Sequence, residues 1–255
     1  MPLPTIDASE LGATGPAEPK SEPLQSGAGK ASRHSGDVQK PPLNLAGRLF
    51  FTTGKGQQPY CSAQFIASGV LVTAAHCVRD NETGQWYSKF IYVHQYFRGN
   101  GTKYDTDCSS MYNGWVSRDV THLAWDYAMI KLRGGTDQGY FGLESGWWGR
   151  HNTVPKIGYP HGVEQGEVIQ VQFGRLIRGH HPFVVGLKYD DVRDPGGSSG
   201  GAWVGKYEPT RNPQANRIIS VESHGTGEKG ISYGPYWGGP QMVKLKEYVA
   251  AGCRS

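Results

Sequence analysis

Long apolar runs are missing from this 255-residue chain. Nothing approaches the roughly 18–20 consecutive apolar residues that a membrane-crossing helix needs, so no membrane partner is expected. Strong charge is missing too. The formal net charge is +4, without the concentrated basic face of a nucleic-acid binder. Metal-binding patterns are equally scarce. His151, His161, His180 and His181 lack the His-Glu-x-x-His spacing, and Asp105 and Asp107 have no EF-hand loop around them. The chemistry is therefore expected to need no metal and no cofactor. The first residues, Met1 to Asp7, lack the basic start and apolar core of an export signal. Export is then expected either from a leader already trimmed or by another route.

Cysteine is rare as well, with four residues. An even count reads as disulfides and so as an oxidising compartment, extracellular or periplasmic. Cys61 and Cys77 bracket the segment around His76, and pairing them would staple that loop to its strand. Four cysteines allow three pairings. If the first pair forms, Cys108 and Cys253 remain for each other.

Glycine, by contrast, is abundant: 37 residues spread along the chain, about twice the usual ~7%. This suggests many tight turns between short strands. Runs rich in β-branched and aromatic residues bear that out as a pattern: Gly47–Thr52, Tyr60–Ala67, Val70–Ala74, Phe90–Phe97, Tyr127–Leu132, Val154–Tyr159, Val168–Ile177, Phe183–Tyr189, Ala202–Tyr207 and Ile218–Glu222. The class is all-β. One helix is expected, opened by Pro240, with Met242, Leu245 and Val249 on one apolar face. Residues 1–44 hold seven prolines and five glycines, and no Phe, Tyr or Trp precedes Phe50. A disordered tail or propeptide is expected there.

Three segments carry chemistry: Thr73-Ala74-Ala75-His76-Cys77, Asp126 in Trp-Asp-Tyr-Ala-Met-Ile, and Gly197-Ser198-Ser199-Gly200-Gly201. A serine becomes a nucleophile only when an imidazole takes its proton and a carboxylate holds that imidazole in the right tautomer. Glycines let backbone N–H groups approach the oxyanion. Gly197-x-Ser199-x-Gly201 also matches a nucleophile elbow, but that motif leads into a helix and its partners follow in the order serine, acid, histidine. Here the serine comes last, and a strand pattern follows it.

With these segments in this order, and Ser223-His224-Gly225 further on, the chain resembles the chymotrypsin-like (trypsin-like) serine proteases, in their secreted bacterial and fungal branch, over roughly Ala46 to Cys253. The resemblance implies two six-stranded antiparallel β-barrels with a C-terminal helix: residues 45–150 as the first barrel and 151–255 as the second, forming one peptidase unit. It implies His76 as general base, Asp126 as orienting carboxylate, Ser199 as nucleophile, and the N–H groups of Gly197 and Ser199 as oxyanion hole. Ser223 would support the aspartate, and Ser223 to Gly225 would align substrate backbone by β-pairing. Protein or peptide substrates and a monomer are expected.

Two positions depart from the animal members. Ser198 stands where many of them carry Asp, which argues against activation by a freed N-terminus. Arg193 stands six residues before Ser199, where trypsin-like members place an acid. With His224 it suggests an acidic substrate side chain, unless Glu222, Asp190, Asp191 or Asp194 neutralises it. Arg175, Arg178, His180 and His181 read as a solvated basic turn rather than a nucleic-acid surface. The competing functions are a protease-like binding protein without activity and a hydrolase of small esters.

Overall fold

The computed structural model describes residues 33–117, 119, 121–189 and 198–254. Fourteen strands and one helix follow each other there: β1 (Arg33–Ser35), β2 (Ala46–Thr52), β3 (Tyr60–Ala67), β4 (Val70–Thr73), β5 (Ser88–Phe97), β6 (Asn100–Met111), β7 (Ala128–Leu132), β8 (Gly142–Leu143), β9 (Thr153–Gly158), β10 (Gln170–Arg178), β11 (Val184–Lys188), β12 (Ala202–Val204), β13 (Arg217–Val221), β14 (Ile231–Pro235) and α1 (Gln241–Ala250).

Strands β2, β3, β4, β7, β6 and β5 close into a six-stranded barrel. Its interior takes Leu49, Phe65, Leu71, Tyr92 and Ile130, all fully buried. Closure removes the unpaired strand edges that would otherwise invite association. The β5–β6 hairpin turns at Arg98 and Gly99, both at positive φ (48° and 84°). That is the geometry a two-residue hairpin turn requires, and a glycine meets it at no steric cost.

Among the described residues the second barrel expected from the resemblance is not closed. The other sheet has eight strands in the order β14-β11-β10-β9-β12-β13-β8, with β1 added on β10. Its ends do not join by a ladder. β13 pairs the two-residue parallel strand β8 on one side, and past its last residue Ser223 and His224 meet Tyr233 of β14 through an isolated bridge rather than a ladder. Trp147, Trp203, Leu187 and Ile219 form a separate core under this sheet. Because β8, Trp147 and Trp148 belong with it, the connecting segment from Gly142 onward packs with the C-terminal half.

The first and last described segments both cross over. β1 pairs β10 of the second sheet, and Val38 and Leu43 are buried. Order therefore extends into the 33–44 stretch expected to be disordered, because these few apolar side chains have somewhere to go. Residues 1–32 lie outside the described residues. At the other end, Met242, Leu245 and Val249 of α1 are buried in the core that the first barrel shares. Tyr112 Oη donates to the Gln241 carbonyl at 2.7 Å, and Cys108 on β6 is bonded to Cys253. Arg48 joins the halves once more: its guanidinium lies 3.6 Å from the centre of the Tyr60 ring and donates to Glu167 Oε1 at 2.8 Å.

Candidate active site

β4 and β7 are antiparallel neighbours, with Thr73 opposite Ala128. The end of one therefore meets the start of the other. His76, three residues past Thr73, and Asp126, two before Ala128, emerge at the same rim of the barrel. Small residues make the approach possible: Ala74 and Ala75 are fully buried, and Ala75–Cys77 forms a short 3-10 turn. The Cys61–Cys77 disulfide staples that turn to β3, as the spacing suggested.

Asp126 is buried, 1% exposed, between Trp125 and Tyr127, which stack on each other and both meet Tyr112 edge-on, while Tyr127 also meets Trp237 edge-on. A buried carboxylate is costly unless its lone pairs are taken. Here they are. Oδ1 accepts the His76 backbone N–H at 2.9 Å, and Oδ2 accepts His76 Nδ1–H at 2.8 Å and the Ser223 hydroxyl at 2.5 Å. Burial raises the carboxyl pKa, but the His76 charge and these donors outweigh it and hold it below the ordinary carboxylate value. For His76, burial favours the neutral ring, and the Asp126 charge and hydrogen bond reverse that, so its pKa lies above the ordinary imidazole value. With Nδ1–H committed to Asp126, Nε2 is left to accept a proton. The side chain remains 30% exposed.

Ser199 is half-buried and follows the undescribed residues 190–197. Its carbonyl accepts the Ser62 N–H of β3 at 2.8 Å. Gly200 N donates to the Glu222 carbonyl, and Glu222 N to the Gly201 carbonyl, both at 2.8 Å. Gly200 has φ +76°, and a Cβ there would overlap Thr73 Oγ1 and the Ser62 carbonyl. The serine loop is thus pressed against the strand that leads to His76. Only glycine permits this.

A cleft of about 440 Å³ opens beside Ser199, lined in part by Glu222, Ser223, His224, Gly225, Glu228 and Lys229. Ser223 and His224 pair with Tyr233, and Gly225 beyond them is exposed, with open space where a Cβ would stand. The structure therefore gathers His76, Asp126, Ser199, Ser223, His224 and Gly225 around one region. Gly197 and Arg193, like Asp190, Asp191 and Asp194, lie outside the described residues.

No protein-family model and no curated protein sequence matches the chain. Solved structures do. The protease Anisep from Arthrobacter nicotinovorans superimposes with a TM-score of 0.68 at 24% identity, over 88% of this chain and 100% of that one. A thermostable serine protease, AL20, from an extremophilic microorganism gives 0.66 at 22% identity, over 82% and 97%. A Glu endopeptidase gives 0.67 at 18% identity, over 86% and 96%. The fold is that of the chymotrypsin-like serine proteases.

Within this chymotrypsin-type fold three features were not foreseen. Glu222 is bound by Lys156 Nζ at 3.4 Å and by Trp203 Nε1 at 3.0 Å, a buried arrangement below the cleft. Lys156 lies on β9, distant in sequence, so no local pattern announces it. His180 is exposed in its turn, as expected, and its ring also packs edge-on against His224 and Tyr233, at 5.2 and 4.7 Å between ring centres. Ser62 supports the serine loop by main chain, its N–H donating to the Ser199 carbonyl, and the Thr73 hydroxyl donates in turn to the Ser62 carbonyl at 2.9 Å. Among the described residues, the His, Cys and acid side chains close enough to share a metal are Cys61, His76 and Cys77, and the two sulfurs are bonded to each other.

Proposed function

We propose that this protein is a serine endopeptidase that cleaves peptide bonds through an acyl-enzyme. Ser199 attacks the carbonyl, His76 Nε2 takes its proton and returns it to the leaving amine, and Asp126 holds the ring and stabilises the imidazolium. The N–H groups of Gly197 and Ser199 are assigned to the oxyanion. The substrate backbone is assigned to the edge from Ser223 to Gly225 by β-pairing. The observation that carries this reading is the Asp126 carboxylate: buried, ionised, and aimed at His76 Nδ1, at the rim where the Ser199 loop packs. An ordinary structural histidine has no need of such a partner.

The fold neighbours include proteases with different printed activities, among them a Glu endopeptidase and a collagenase, so specificity is read from this chain. Arg193 is carried as the determinant for an acidic side chain before the scissile bond. The disulfides support action in an oxidising compartment, outside the cell or in a periplasm.

A fluorophosphonate that labels the purified chain, with labelling and casein hydrolysis lost in Ser199→Ala, is the expected result. Activity retained by Ser199→Ala would refute the assignment. Labelling without casein cleavage would move the reading to small esters, and no labelling would move it to a binding protein. A mixed peptide pool then reads specificity: cleavage mainly after Lys or Arg removes the Arg193 assignment.

A further inference from the structure

Beyond Asp126 the hydrogen bonds continue. Ser223 Oγ lies 2.5 Å from Asp126 Oδ2 and 2.9 Å from His224 Nδ1. A hydroxyl has a single proton to donate. Asp126 is ionised and offers none, so the Ser223 proton points at the carboxylate. The second contact then needs a proton on His224 Nδ1. His224 is thereby set as the Nδ1–H tautomer, with a lone pair on Nε2. That Nε2 is buried and has no hydrogen-bond partner among the described residues. The opposite tautomer, or the cation, would leave a buried N–H donor unmet, which is the rarer and costlier situation.

Two rings hold His224 in place. It stacks on Tyr233, 5.4 Å between centres at 21°, and His180 from the β10–β11 turn packs edge-on against both. Tyr233 also pairs its backbone with His224.

We infer that His224 is a positioning residue of the site: its Nδ1–H holds the Ser223 hydroxyl on Asp126, and through Asp126 it sets the basicity of His76. The inference rests on the hydrolase reading given above. Burial is the main influence that keeps His224 neutral. The Asp126 charge opposes burial, while the imidazoles of His180, His76 and His122 reinforce it, and together they bring the pKa down to about 4. His224 therefore stays an uncharged donor throughout the range in which His76 titrates.

Removing the donor frees the Ser223 hydroxyl to rotate. Asp126 then loses a hydrogen bond, its negative charge is less neutralised, and it favours the His76 imidazolium more strongly. The acid limb of activity moves to higher pH, by roughly half to one unit.

The test uses the full chain. Fluorophosphonate inactivation rate and kcat/KM on a small ester are measured against pH for the parent, His224→Phe and His224→Asn, and for each in a Ser223→Ala background. Phe keeps the ring packing without a donor, whereas Asn places an amide N–H near the Nδ1 position. The expected result is an upward shift in the Phe variant, a parent-like limb in the Asn variant, and no further shift from Phe once Ser223 is Ala. An unshifted Phe variant, or a shift that persists without Ser223, overturns the inference while the hydrolase reading stands. A parent that never labels overturns both. Independently of folding in any variant, ¹⁵N spectra of histidine-labelled parent should show a protonated Nδ1 and a lone-pair Nε2 for His224 at neutral pH. The reverse tautomer overturns the inference.

Discussion

The carbonyl oxygen of Ser199 accepts the backbone N–H of Ser62 at 2.8 Å, so the serine segment is pinned to β3 of the first barrel by main chain alone. Side-chain substitution cannot cut that bond directly, but it can push the loop away. Gly200→Ala should do so. Its Cβ would collide with Thr73 Oγ1 and the Ser62 carbonyl, and its φ of +76° is costly for any residue with a Cβ. The expected outcome is activity below a hundredth of the parent and a loss of about 2–4 kcal/mol in stability, by denaturant titration. A fully active Gly200→Ala protein would mean that the loop sits elsewhere.

Asp126→Asn should abolish most activity without unfolding the chain. The carboxylate accepts three donors, and an amide offers one oxygen and one NH₂ group in the same space. His76 would then be held in the wrong tautomer. A drop in kcat of about 10⁴-fold is expected, with the far-UV spectrum unchanged. A drop of less than tenfold would remove Asp126 from the proposed trio.

The raised His76 pKa places the acid limb of kcat/KM above the ordinary imidazole value, since the neutral ring is the base. Stability follows a different rule. The part carried by Asp126, whose folded pKa is lowered, is present above the ordinary carboxylate value and lost as pH falls through the folded one. His224 is neutral in the folded state down to about 4. Its share is present above the ordinary imidazole pKa of 6.5 and is lost as pH falls from there to about 4, roughly 3 kcal/mol in all. Buried His94, also lowered, adds to the same window. Urea midpoints should therefore decline from pH 6.5 to 4, less steeply in His224→Asn. Midpoints constant across that interval would contradict the burial argument.

Cys108–Cys253 closes a sequence separation of 145 residues and ties the segment after α1 to β6. In the chain-entropy picture such a crosslink stabilises by about 4–5 kcal/mol. The Cys108→Ala, Cys253→Ala double variant should unfold at lower denaturant by that order. Equal midpoints would show that the packing of Met242, Leu245 and Val249 suffices alone.

Reading the sequence locally worked where a segment's own pattern matched its burial. Tyr60–Ala67 is a strand at those same bounds, and the apolar face of Met242, Leu245 and Val249 lies on α1 and is buried. It failed for β6, the longest strand. Asn100 to Asp107 is polar or glycine apart from one tyrosine and mostly exposed, so neither alternation nor β-branching marks it. Its pairing with β5 and β7 makes it a strand. β14, with glycine and proline at its end, was likewise invisible until β11 paired with it. The 33–44 stretch looked featureless because Val38 and Leu43 were diluted among polar neighbours.

Taken by itself, the sequence determined the all-β class and the terminal helix and marked out His76, Asp126 and Ser199 as the candidates for chemistry, because glycine-bounded apolar runs and reactive side-chain types are local properties. Tertiary structure alone decided the open second sheet, the Lys156–Glu222 pair under the cleft and the chain from Asp126 through Ser223 to His224. These depend on distances between residues far apart in the chain, and on which buried donors and acceptors must satisfy one another once water has been excluded.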